Sequence, residues 1–109
     1  MNVEIDKFHI LALAGDDRDL VSDILDEFYE NGLELVEAID SARADSNNNS
    51  VGANLHQLKG SSGMFGMSSL HALCKELEGD VTQLNDNEVS KLRECLLRSY
   101  QLATGVLLG

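Results

Sequence analysis

The strongest constraint on the fold is a single unbroken seam. Apolar or small residues recur at Val21, Leu25, Phe28, Gly32, Leu35, Ile39 and Ala42, a strict alternation of four and three. Only an α-helix brings such positions onto one face. The pattern predicts one long helix from about Asp17 to Ala44, with Leu20, Ile24 and Val36 flanking the seam. Acidic residues crowd its first turns, where they favour the positive end of the helix dipole. A helix this long cannot bury its seam alone, so further helices must pack on it.

The rest of the chain supplies them. A short first segment runs from about Val3 to Ala14, with Ile5, Phe8, Leu11 and Ala12 placed to face inward and Gly15 as its stop. The polar run Ser46–Ser50 reads as a loop. A third helix is expected from about Asn49 to Phe65, and a fourth from Ser68, continuing as far as Val81. Asn85 and Glu88 form a capping box for a last helix, with a stripe of Val89, Leu92, Leu96, Ser99 or Tyr100, Ala103 and Val106. The 109 residues contain no proline and few strand formers outside helix-period positions. The expected fold is all-α, one domain spanning 1–109: an antiparallel four-helix bundle with a short additional N-terminal helix as a lid.

Charge excludes several function classes. The formal net charge is −11, and 13 of the 19 acidic residues fall in positions 1–45 against three basic ones. Such a surface repels phosphate backbones and anionic lipid, which argues against nucleic-acid and membrane partners. No apolar run approaches the roughly 20 residues that span a bilayer. The N-terminus lacks the pattern of a signal peptide, so a cytoplasmic location is expected. Cys74 and Cys95 fall on apolar stripes and read as buried free thiols.

The segment Leu55–Gly66 is where chemistry enters. On a helix turning about 100° per residue, Val51, Leu55, Leu58, Ser62 and Phe65 share the buried face. His56 lies roughly 140° from the middle of that face and points outward. Gly52, Gly60 and Gly63 share its own face. Each glycine costs a helix about 0.8–1 kcal/mol relative to alanine. Three of them beside one histidine call for a reason, and the physical one is access for another protein's active site. Lys59, one turn on, can lean toward the ring and partly neutralise a phosphoryl group there.

His56-x-Leu58-Lys59-Gly60-Ser61-Ser62, with Gly66 ten residues past the histidine, resembles the signature of the histidine phosphotransfer (HPt) family. The likeness covers nearly the whole chain. LAGDDRDLVSDILDEFYENGLELVEAI resembles that family's first long bundle helix, and MSSLHALCKELE the helix after the phosphorylated one. The resemblance implies that His56 accepts a phosphoryl group from the aspartate of a hybrid sensor kinase's receiver domain. It would then pass the group to a response-regulator aspartate. Lys59 would steady the phosphoryl oxygens and Gly60 would leave space for the partner. The chain itself would need no cofactor, since the Mg²⁺ resides on the receiver. Some bacterial members carry glutamine where this chain has Glu78, a position that faces the imidazole. An acidic group there hydrogen-bonds the ring and repels a bound phosphate. Lys75 is a further candidate near the ring. Met64 is a candidate for the docking surface, and Met67 serves equally well for that surface or for the core.

Two other classes compete. A metal-binding bundle would present Glu-x-x-His pairs facing inward, and the sequence has none, leaving His9 and His71 as surface or boundary residues. A non-phosphorylated docking module for receiver domains would use the same bundle, but would require neither His56 nor Lys59. No P-loop or nucleotide-cradling glycine loop is present, so the chain is read as a phosphocarrier and not as a kinase. Met1 and a full bundle's length lean toward a free-standing protein, and a monomer is the simpler expectation.

Overall fold

The structure is a computed structural model and describes residues 2–109. Five α-helices follow one another: α1 (Lys7–Ala14), α2 (Arg18–Ala44), α3 (Asn48–Met64), α4 (Ser68–Glu78) and α5 (Asp86–Leu107). A 3-10 turn at Val81–Gln83 precedes α5. Helices α2 to α5 form an antiparallel four-helix bundle in which α2 packs on α3, α3 on α4, α4 on α5 and α5 back on α2.

The long seam does what its spacing predicts. Val21, Leu25, Phe28, Gly32, Leu35, Ile39 and Ala42 are all buried, joined by Val36. They meet Val51, Leu55 and Leu58 from α3, Leu70, Cys74 and Leu77 from α4, and Val89, Leu92, Leu96 and Ala103 from α5. Gly32 is small for a reason of space: a Cβ there would sit 2.7 Å from Leu96 Cδ1, so its absence lets α2 and α5 approach. Helix ends are set by side-chain caps. Asp17, Asn47 and Asn85 accept from the backbone N–H groups of Leu20, Ser50 and Glu88 at 3.1, 3.2 and 3.1 Å. The Glu88 carboxylate pairs with Lys91 Nζ at 3.5 Å.

Several expectations need correction. Helix α1 begins at Lys7, not Val3, because Asp6 caps it by accepting from Phe8 N–H at 3.1 Å. Residues 2–5 lie outside that helix, and with Asp6 they form a strap across the α3–α4 joint. Asp6 N–H donates to the Gly66 carbonyl at 2.7 Å, and Ser69 N–H to the Glu4 carbonyl at 3.2 Å. Starting the helix later resets its phase: Ile10 and Ala14 are buried, whereas Phe8 and Ala12 face outward. Helix α4 stops at Glu78 and does not reach Val81, since Asp80 adopts an extended conformation and caps the 3-10 turn instead. Val106, placed on the inner stripe of α5 by its spacing, is exposed in that helix's last turn. Met67 is wholly buried and belongs to the core, not to a docking surface.

The two thiols are enclosed as their stripes predict. Burial pushes Cys74 up to about 12, so it stays a neutral thiol under ordinary conditions. Among the described residues, no helix is long and apolar enough to cross a membrane.

Candidate functional site

His56 stands halfway along α3, on the side turned away from Leu55 and Leu58, both of which are fully buried. Its side chain is 71% exposed. Its one hydrogen bond runs to the neighbouring helix, where Nδ1 lies 2.9 Å from Glu78 Oε1. A carboxylate can only accept, so Nδ1 is the nitrogen that carries the proton. In the neutral ring the lone pair is then at Nε2, the nitrogen facing solvent. Geometry thus selects the tautomer and leaves the ring's free lone pair at Nε2.

Glu78 has a second engagement. Its Oε2 lies 2.6 Å from Lys59 Nζ, and both side chains are about three-quarters covered, at 25% and 26% exposure. One carboxylate therefore bridges imidazole and ammonium. The Lys59 hydrogen bond holds Glu78 below the ordinary carboxylate range, with partial burial opposing and the His56 hydrogen bond assisting. The sign of the pH effect follows. Because the folded value is lowered, this contribution to stability is present above the ordinary carboxylate range and is lost as pH falls through the depressed value. Glu78→Gln is expected to lower the urea midpoint at pH 7, with the difference from wild type vanishing in acid. Denaturation curves at neutral and acidic pH check this, and an offset that persists unchanged in acid would contradict it.

The three glycines of the histidine face differ in kind. At Gly60 an added Cβ would meet nothing within 4 Å, and at Gly52 only Val81 Cγ1 at 4.0 Å. Neither is required by packing. Gly63 is different. Its missing side chain makes room for the His71 ring, whose Nδ1 would lie 3.1 Å from a Cβ there. The access role expected of Gly63 is thus replaced by a packing role between α3 and α4. His71, expected on the surface or boundary, is half-buried and its Nδ1–H donates to the Lys59 carbonyl at 2.9 Å. It pins the backbone of the turn that carries Lys59.

The remaining candidates separate by position. Met64 is 62% exposed at the end of α3. Lys75 is exposed on α4 and forms no ion pair among the described residues. Sequence reasoning placed Lys59 beside the ring, but missed that its ammonium is held by Glu78. The 22-residue gap between His56 and Glu78 depends on how α3 and α4 register, which no periodicity reports. Among the described residues, no three His, Cys, Asp or Glu side chains converge as a metal-binding group.

An exposed, tautomer-fixed imidazole on a bundle helix, beside a lysine and a bare glycine, is an arrangement suited to carrying a group between proteins. Searches among curated proteins and among solved structures found no match. A family model described as Hpt domain does match, over residues 23–101, which takes in most of α2 and its seam from Leu25 on, the whole of α3 and α4, and most of α5. With that match spanning most of the chain, and an all-helical bundle beneath it, the protein belongs to the Hpt domain family, the phosphotransfer modules of two-component systems.

Proposed function

We propose that His56 is the phosphorylated residue, and that the protein relays a phosphoryl group from a hybrid sensor kinase's receiver aspartate to a response-regulator aspartate. The observation that carries this reading is the 2.9 Å hydrogen bond from Nδ1 to Glu78, which leaves Nε2 unencumbered on an exposed ring. Nε2 attacks the phosphorus of an aspartyl phosphate in line, and the P–O bond electrons return to the carboxylate. In the second half-reaction the roles reverse. The rate comes from positioning and charge stabilisation, with Mg²⁺ supplied by the receiver. The partners are receiver domains, and the chain itself is a carrier without a nucleotide site. Lys59 neutralises phosphoryl charge once its ammonium turns from Glu78, a short reorientation for a flexible side chain. Met64, exposed two turns beyond the histidine, contributes apolar contact to the docked receiver.

The test is incubation with a phosphorylated receiver domain. Label should appear on this chain in an acid-labile, base-stable form. If several competent receivers bind the chain and leave it unlabelled, the relay is wrong and a docking module takes its place.

Gly60 gives a second, independent check. A Cβ there has open space, so Gly60→Ala should raise stability by about 1 kcal/mol through helix propensity alone. Gly60→Leu should fold as well as wild type and yet slow transfer on the order of tenfold or more, because the side chain stands where the receiver must approach. Equal transfer rates for Gly60→Leu and wild type would show that this face is not the docking face.

A further inference from the structure

We infer that the groove between the N-terminal strap, the start of α1 and the last turns of α5 docks a cationic amphipathic segment of a partner protein, seating one bulky apolar side chain between Phe8 and Val106. The groove lies apart from His56, so its occupant does not depend on the relay.

The groove offers about 760 Å³. Its apolar lining is Ile5, Phe8, Leu102 and Val106, and its charged lining is Glu4, Asp6 and Lys7. None of these falls within residues 23–101, so the matched family core supplies no part of it. The apolar side is poorly covered. Phe8 is 68% exposed and Val106 49%. Leu102 and Val106 stand one turn apart on α5 and share a face. Ile5 joins them from the strap, itself held against the core. Apolar side chains gathered in one open groove with a charged edge mark an interaction site, unlike apolar residues scattered singly.

Charge selects the occupant. Glu4 and Asp6 are exposed, and the Glu4 carboxylate makes no ion pair among the described residues. Lys7 is the one cation of the lining, and its Nζ lies over the Phe8 ring, 5.7 Å from the centroid. A cation is thus already accommodated on that ring. Helix α5 has no basic residue in its last turn, so the negative end of its dipole faces an incoming cation. The Arg18 guanidinium takes the Leu108 carbonyl, which brings the start of α2, with Asp16, Asp17 and Asp19, to the same end of the bundle. The field there is negative and attracts lysine or arginine placed beside an apolar anchor. A second copy would bring the same acidic end and a net charge of −11, so like charges oppose self-association. A small molecule would find no buried polar group to fix its orientation, since Glu4, Asp6 and Lys7 are all exposed.

Position keeps the groove clear of the histidine. Helices α3 and α5 stand diagonally across the bundle, each packing on α2 and α4. His56 stands two turns, about 11 Å, short of the strap end of α3. A segment seated in the groove therefore leaves the imidazole face open.

The probe is an acetylated peptide of about 14 residues with leucines on one helical face and lysines on the other. It is titrated into the full chain, with ¹⁵N–¹H spectra as the readout. Binding should saturate, with the largest shifts at Ile5, Phe8, Leu102 and Val106. Phe8→Ser should weaken it about tenfold and Val106→Ser by a similar factor, both exposed positions whose change leaves the fold intact. Glu4→Gln should weaken it severalfold, and His56→Gln not at all. A scrambled peptide of the same composition separates a seated anchor from simple attraction of opposite charges, and should bind at least about tenfold more weakly. Equal affinity for the scrambled peptide, shifts spread along α2, or binding unchanged in both serine variants overturns the groove as the site. Absence of saturable binding does the same. Equal affinity for a peptide with glutamate in place of lysine overturns the cationic occupant. Concentration-dependent dimerisation that Phe8→Ser abolishes gives the groove to a second copy instead.

Discussion

His56→Gln is expected to lose phosphotransfer by at least about a thousandfold while the thermal midpoint stays within about 3 °C of wild type. The two halves of this prediction have separate grounds. Loss of transfer follows because an amide has no basic nitrogen to attack phosphorus, and His9 and His71 do not stand in for the imidazole. His9 pairs with Asp6 at 3.5 Å near the start of α1, and His71 spends its Nδ1–H on the Lys59 carbonyl. Retention of the fold follows from exposure. The ring is 71% exposed and its one partner is a side chain that keeps Lys59. Glutamine is also a better helix former than histidine. Labelling from a phosphorylated receiver, alongside thermal unfolding of the same samples, checks both halves. Label on the variant at wild-type level would move the reactive residue elsewhere.

The second large effect belongs to Gly66, and it is structural. Gly66 has φ +72°, in the left-handed region, and a Cβ there would stand 2.1 Å from the Asp6 carbonyl oxygen and 3.0 Å from His9 Cβ. The backbone of the strap cannot yield cheaply, because Asp6 N–H is bonded to the Gly66 carbonyl and Glu4 to Ser69. Gly66→Ala should cost about 1–2 kcal/mol for the left-handed conformation and about 1–3 kcal/mol more for the clash. For a chain this size the sum lowers the melting temperature on the order of 10–20 °C. Hydrogen exchange should show the loss first at the Asp6 and Ser69 amides. A midpoint within about 2 °C of wild type would mean that the strap does not hold the α3–α4 joint.

Gly66 also shows what kind of information a sequence holds. Its place ten residues past the histidine is visible in the motif, but its cause is not. The cause is a strap from the other end of the chain, passing over the joint. The α2 seam was legible because helical periodicity is a local property repeated over 27 residues. The outward direction of His56 was legible for the same reason, since phase on one helix needs no partner. The start of α1 was not, because its eight residues give little periodicity and the strap that fixes Asp6 as its cap is a tertiary contact. Gly63 falls on the same side of that divide, and Glu78 was placed at the ring by the family resemblance and not by any periodicity. Whether a carboxylate meets an imidazole, or a glycine makes room for His71, depends on how α3 settles on α4.

The site as a whole joins two design requirements that pull apart. The proposed nucleophile must be exposed to reach another protein, and it must be held in one tautomer to be ready. The bundle meets the first by placing His56 outside the core face of α3 beside Gly60, whose Cβ position is open. It meets the second from the neighbouring helix, through a carboxylate that is itself steadied by Lys59.

The relay is tested most directly by passage of label through the chain. One receiver domain is phosphorylated and freed of its kinase, and a second, unphosphorylated receiver is added with and without this protein. The account predicts that label reaches the second receiver only when wild-type protein is present, passing through an acid-labile intermediate on the chain, and that His56→Gln leaves it on the first. Label reaching the second receiver equally well with His56→Gln would contradict the account.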